Sequence, residues 1–380
     1  MKNNIFSALF SSAMILLCGC AGILAPVQEI PTQKVKVGYF VDNGSRGNGV
    51  FQWAQLLHYS PQLEVTLLDG KDIREGKLAE IDLLFIPGGS STDQMKSLQD
   101  AGKDNIRKFV YNGGAYVGIC AGFHCTLDRQ ERLQIMPYKY LRGAGGAQAR
   151  LAVDISEKGG KILNARPGRR YVYYSRGPIS RPAAWAHGNA ETLGVYKSTV
   201  GPFGRDGGRF FDAPAIISGN YGKGKVIATS FHPEAHVNNR DISMGCIYAV
   251  TGVKAVPEFP RRNSRPVRVA FVTGTTGGKE PIRRMLELDR HPDLDVIFTS
   301  NFTEGILDHV DVLVIPDAHD LRSIEFIKAN QNYLQDFMDR GGRILASGVE
   351  AQAVKAHRNL VEVPAGQSFV PGALGSAVKR

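Results

Sequence analysis

The chain has 380 residues, 43% hydrophobic and 22% charged, which excludes a disordered or collagen-like polymer and leaves room for two or three domains of about 150 residues. Lys and Arg number 46 against 36 Asp and Glu, giving a net charge of +10, but no dense basic tract interleaved with aromatics accompanies it. The balance therefore reads as a solvated basic surface with no nucleic-acid partner, and five cysteines are too few for a disulfide scaffold.

In chain order, Lys2 precedes an apolar run from Ile5 to Leu17 that ends in Leu17-Cys18-Gly19-Cys20-Ala21-Gly22. The run is too short to span about 30 Å of hydrocarbon as a helix. A positive charge, an apolar run and small residues are the layout of a cleaved secretory signal. Leu-x-Gly-Cys resembles the bacterial lipobox, and that resemblance implies lipidation of Cys20. Residues 1–19 are then a lipoprotein signal, and 20–34, with Pro26 and Pro31, a tether. The expectation is an exported protein held to a bacterial membrane by its N-terminal lipid, on the outer membrane facing the periplasm.

From Val35 short apolar strands alternate with amphipathic stretches. Strands are predicted at Val35–Val41, Leu63–Leu68, Ile81–Ile86 and Ala115–Ile119. The glycine-rich loop Asn43–Gly49 leads into a helix over Phe51–His58, and a second helix ends at Ile106–Tyr111 before Asn112-Gly113-Gly114. This alternation predicts an α/β fold, a doubly wound and mostly parallel sheet covered on both faces, with ligands beyond the carboxyl ends of its strands. The pattern then recurs. Val267–Thr273 echoes the first strand, Val310–Pro316 echoes Ile81–Pro87, and Tyr333–Leu345 echoes Ile106–Val117. The expected organisation is a first domain at 35–255, a linker at 256–266, a smaller related α/β domain at 267–350 and a C-terminal tail at 351–380. Aligning Gly341-Gly342 on Gly113-Gly114 sets Gly348 opposite Cys120, so the second copy has no thiol and is expected to pack or bind.

Gly118-Ile119-Cys120-Ala121-Gly122 follows a strand and precedes a predicted helix. Small flanking residues permit a sharp strand-to-helix turn that presents the central side chain, and the helix dipole there favours a thiolate. The N–H of Ala121, with a second N–H from the Gly88-Gly89 turn, suits an oxyanion. Downstream, Ser230-Phe231-His232-Pro233-Glu234 follows the apolar strand Lys225–Thr229. His232 and Glu234, two apart in extended chain, would project to one side as base and orienting carboxylate. His187 and His236 read as surface or satisfied core residues. Other signals are weaker. Thr273–Glu280 lacks phosphate-loop spacing and reads as a strand-to-helix turn. Asp317-Ala318-His319-Asp320 reads as turn and N-cap rather than metal site. The Arg- and Tyr-rich stretch Arg166–Arg181 either lines a pocket for an anionic or sugar-like group or forms a solvated hairpin. A disulfide from Cys120 to Cys125 is not favoured.

Gly47-Asn48-Gly49-Val50, Pro87-Gly88-Gly89, Gly113 to Gly122, Tyr173 to Pro178, and Gly222 to Val226 running on to His232-Pro233-Glu234 resemble the class I glutamine amidotransferase-like superfamily. Within it the nearer likeness is to the biotin-protein ligase N-terminal-domain family, over about Val35 to Val250. The resemblance implies a flavodoxin-like sheet with Cys120 as nucleophile, His232 as base and Glu234 as third member. It also implies oxyanion donors at Gly89 and Ala121 and a substrate pocket around Gly49, Ser90, Phe123, Tyr174 and Arg176. No biotin-ligase catalytic segment is recognised, so biotin transfer is not expected. The expected function is cysteine-dependent hydrolysis of a carboxamide or similar acyl group, with a small-molecule or acyl substrate, no cofactor and no metal. An unidentified protein partner stays open. The alternative is a non-catalytic binding or scaffold lipoprotein that retains the fold.

Overall fold

The structure is a computed structural model, and it describes residues 33–141, 147–183, 190–200, 209–273, 278–300, 305–316, 321–355 and 357–363. The expected signal segment, Cys20 and most of the tether lie outside these residues, as do His187 and Asp317–Asp320. Among the described residues no helix is long and apolar enough to cross a membrane.

The first half is built from β1 (Val35–Phe40), α1 (Asn48–His58), β2 (Leu63–Leu68), α2 (Gly70–Arg74), β3 (Leu83–Ile86), α3 (Ser91–Tyr111), β4 (Ala115–Ile119) and α4 (Ala121–Thr126). β5 (Tyr138–Leu141), β6 (Gln148–Ile155), α5 (Glu157–Leu163), β7 (Gly168–Ser175), β8 (Ile179–Pro182) and β9 (Ala190–Tyr196) follow. β10 (Pro214–Tyr221), β11 (Gly224–Thr229) and α6 (Arg240–Thr251) complete it. Nine of these strands form one sheet in the order β2-β1-β3-β4-β11-β10-β9-β6-β7. The β2-to-β11 limb is parallel and the β11-to-β7 limb antiparallel. Alternation along the central strands feeds two cores. Leu83 and Phe85 join the core under α1 and α6, whereas Leu84 and Ile86 join the one under α3 and α4. Strands buried on both faces need apolar residues at every position, which is how β3 reads.

The second half contains β12 (Val267–Val272), α7 (Lys279–Asp289), β13 (Leu294–Thr299), β14 (Val312–Ile315), α8 (Leu321–Ala329), α9 (Gln331–Asp339), β15 (Arg343–Ala346), α10 (Gly348–Ala353) and β16 (Leu360–Glu362). Its all-parallel sheet, β13-β12-β14-β15-β16, repeats the order β2-β1-β3-β4. The repeat extends to single hydrogen bonds. Asp82 accepts from the Lys36 N–H at 2.9 Å, and Asp311 accepts from the Arg268 N–H at 2.8 Å. The predicted tail at 351–380 is corrected at its start, since the end of α10 and β16 belong to this second sheet and its helices.

α1 lies between the two sheets. Its Phe51 ring is 5.3 Å from that of Phe271 on β12 and 5.8 Å from that of Phe298 on β13. One apolar cluster therefore runs from β1, β3 and β4 through α1 to α7, β12 and β14. The expected linker is also packed. Glu258 N–H donates to Tyr59 O at 2.7 Å, and Arg240 lies 4.8 Å over the Phe259 ring.

Candidate active site

β4 and β11 are adjacent parallel strands, with Ile119 opposite Thr229. Two segments more than a hundred residues apart thus end side by side at one carboxyl edge. Cys120 follows β4 directly, and its N–H donates to Thr229 O at 2.8 Å. The residue sits at φ 52°, ψ −98°, left-handed backbone that a non-glycine residue adopts only under strain. The flanking glycines explain how the bend fits. A Cβ on Gly118 would lie 2.5 Å from Gly122 O, and one on Gly122 would lie 2.1 Å from Ile86 O. Any larger residue at either place would push strand and helix apart, and Tyr116 Oη closes the bend with a 2.9 Å bond to Gly122 O.

His232 is fixed by its own backbone, whose N–H donates to Tyr173 O on β7 at 2.9 Å. The chain then turns rather than extending, because Pro233–Ala235 form a single 3₁₀ turn. That turn, not strand parity, brings the Glu234 carboxylate back to the ring, with Nδ1 2.7 Å from Oε1. With the Nδ1 proton donated to Glu234, Nε2 is left to exchange a proton with the thiol. Burial alone would lower the His232 pKa. The Glu234 carboxylate bonded to the ring and the neighbouring Cys120 sulfur outweigh it and hold the imidazole well above its usual range. The Glu234 side chain is fully buried, and its Oε2 has no hydrogen-bond partner among the described residues. Gly49 at the start of α1 faces this pair, since a Cβ there would lie 2.3 Å from Glu234 Oε1.

Cys120, His232 and Glu234 line a cavity of about 690 Å³, together with Gly49, Gly89 and Arg176. Cys120 Sγ also lies 3.6 Å from Ser175 O. Ala121 is the first residue of α4, and its N–H belongs to a helical turn that has no intrahelical acceptors. Three residues expected in the pocket stand elsewhere. Phe123 is fully buried in the core under α3 and α4. Tyr174 is also fully buried, with Oη bonded to Gly177 O at 2.6 Å and its ring against Tyr196 and Phe210. Ser90 caps α3, its hydroxyl accepting from the Asp93 N–H.

Residues that sequence reasoning left out of the site also line the cavity, among them Arg46, Gln148, Arg150, His236 and Ser300. The alternation of β7 was a usable signal. Arg170, Val172 and Tyr174 point inward, so Tyr171 and Tyr173 are the residues turned to the cavity. Ser300, after the last strand residue of β13, carried no signal in sequence. Among the described residues no group of three His, Cys, Asp or Glu is placed to hold a metal ion. Cys125 is buried and free, its thiol pushed up to about 12 by desolvation.

Residues 44–131, which carry Gly49, Gly89 and Cys120, match the family model described as biotin-protein ligase, N terminal. The chain is 29% identical over 163 residues to the pyridoxal 5′-phosphate synthase subunit PdxT of Koribacter versatilis, covering 42% of this chain and 71% of that one. It is 25% identical over 180 residues to the biotin–protein ligase of Schizosaccharomyces pombe, covering 41% of this chain and only 26% of the ligase. Among solved structures, PurLQS from Thermotoga maritima superimposes with a TM-score of 0.43 at 16% identity, over 57% of this chain and 98% of that one.

Proposed function

We propose that this protein is a cysteine-dependent amidohydrolase that cleaves a carboxamide or a similar acyl group. The observation that carries the reading is the strained-elbow thiol sharing one cavity with an imidazole whose Nδ1 is held at 2.7 Å by a buried carboxylate. His232 takes the Cys120 proton, and the thiolate attacks the carbonyl carbon, forming a C–S bond and an oxyanion. The N–H groups of Gly89 and Ala121 receive that oxyanion. Collapse breaks the C–N bond, and the imidazolium protonates the departing amine. His232 then deprotonates a water that cleaves the thioester. A carboxylate leaves, and the thiol is restored. Glu234 keeps one tautomer and orientation of the ring throughout.

The same proposal includes export and lipidation at Cys20. Its support is the charge, apolar run and Leu-x-Gly-Cys of the N-terminus. Cys20→Ser should move the protein from the membrane to the soluble fraction, and retention in the membrane removes this part.

The chemical step is tested with Cys120→Ser. Low-dose iodoacetamide near neutral pH should alkylate the wild type stoichiometrically at Cys120 and leave the variant unlabelled there. Ammonia or amine release from a carboxamide panel should fall on the order of 10⁴-fold. A variant that releases as much as wild type ends the reading.

A further inference from the structure

The thiol cavity does not end at the triad. It opens into a groove of about 520 Å³ that shares Arg150, Tyr171 and His236 with it. Four arginines line this groove, Arg150, Arg166, Arg169 and Arg170, against one carboxylate, Asp241. Two of the four are neutralised. Arg170 is bidentate to Asp241, with both contacts at 2.7 Å, and Arg169 is bidentate to Asp154 at 2.8 and 2.9 Å. The exposed Arg150 and Arg166 side chains have no carboxylate partner among the described residues.

Arg150 is nevertheless oriented. Its guanidinium lies 5.3 Å over the Tyr171 ring, which fixes its plane without cancelling its charge. The β6-β7 pairing sets Arg150 opposite Tyr173 and Ala152 opposite Tyr171, so the arginine and both tyrosines share one face of the hairpin. That face meets the thiol cavity. Within the cavity the Glu234 carboxylate is already bonded to His232, so it does not offset the arginines. An arginine held over an aromatic ring and left without a carboxylate is built to grip a planar or tetrahedral oxyanion through two N–H donors.

We propose that this groove binds the anionic portion of the substrate. The scissile amide lies at Cys120, and a carboxylate- or phosphate-bearing chain attached to it runs outward over Tyr171 between Arg150 and Arg166. The inference rests on Cys120 as the nucleophile, and it names a substrate class, an amide carried on an extended anion.

Binding is measured calorimetrically on the full-length chain with two probes, triglutamate for carboxylate and tripolyphosphate for phosphate. The tighter probe identifies the charge chemistry. Arg150→Ala/Arg166→Ala should weaken that probe by about tenfold or more, and Arg150→Lys/Arg166→Lys, which keeps the charge but loses the paired N–H donors, should recover only part of that loss. The affinity should also fall with added salt. No binding of either probe, or equal affinity in wild type and the double alanine variant, overturns the groove. Bound probe should also slow alkylation of Cys120 by neutral iodoacetamide at least about fivefold. Unchanged alkylation with the probe bound would separate the groove from the thiol and overturn the substrate assignment. If free protein is not alkylated at Cys120, the nucleophile reading fails, and the binding comparison still decides for or against the groove.

Discussion

A methyl group on Gly49 would lie 2.3 Å from Glu234 Oε1 and 3.2 Å from His232 Nδ1. The backbone of α1 therefore lies against the His232–Glu234 pair, and only glycine leaves them room. Gly49→Ala should tilt or separate the His232–Glu234 pair while leaving the apolar face of α1 intact. The expected result is a fall in kcat of about 10²-fold, from misplacement of the base by a fraction of an ångström. The urea midpoint should move little. An alanine variant with wild-type turnover would show that the pair does not depend on this contact. Much of the site was legible at this scale. The Gly118–Gly122 spacing identified the bend because two close approaches demand glycine at both ends. His-Pro-Glu marked the imidazole–carboxylate pair, although the reason differed, since a 3₁₀ turn rather than an extended strand closes the 2.7 Å contact. Tyr174 was misplaced by one position of strand parity, and nothing local to the Tyr-Val-Tyr-Tyr run says which face meets the cavity.

At the scale of elements, α1 is held from the second sheet. Asn48, one residue before Gly49, receives the Thr273 hydroxyl on its Oδ1 and donates to Phe298 O at 3.5 Å. Thr273 follows β12 and Phe298 lies in β13, so the carboxyl edge of the second sheet braces the first turn of α1. Ser300 from the same edge reaches the cavity wall. The second copy also keeps the bent backbone of the elbow. Gly348 has φ 57° where Cys120 has φ 52°, with glycine in place of the thiol. Its contribution to the site is thus support rather than a nucleophile. Thr273→Val should lower kcat by about threefold to tenfold with a smaller change in KM, because the hydroxyl positions the loop and contacts no reacting atom. Thr273→Ser should restore the rate. Equal kcat in all three proteins would remove the brace. The repeat itself was readable from Val-Asp-Val-Leu-Val-Ile-Pro and the paired glycines, since both copies need the same strand ends and the same αL turn. The antiparallel limb was not readable. β7 alternates exposed and buried residues, whereas β6, β9 and β10 keep no such period, and none of these strands announces its neighbours. β16 is three residues long and half-exposed, too short to show a period.

Across the whole molecule the two sheets share a core, and their common stability should depend on acid. His58 closes α1, and its Nε2 has no hydrogen-bond partner among the described residues. Burial, aided by the Arg290 guanidinium just past α7, pushes its pKa down to about 4. His124 on α4 is lowered to about 3 by burial and by Arg132 and Arg129. Both rings are neutral in the folded chain at pH 5, whereas an unfolded chain protonates them near pH 6.5. The unfolded state therefore binds more protons below pH 6.5, and folding stability falls as the solution is acidified. The slope is at most about 1.4 kcal/mol per pH unit for each histidine. His58 stops contributing once the pH is below about 4, where the folded form also takes the proton. That proton would set a second cation beside Arg290 on the seam between α1 and α7, so the loss belongs to both halves together. In urea unfolding between pH 6.5 and 4.5, wild type should lose stability more steeply than His58→Gln, by about 1 kcal/mol per pH unit. Parallel stability curves for the two proteins would show that the His58 ring does not carry this acid sensitivity.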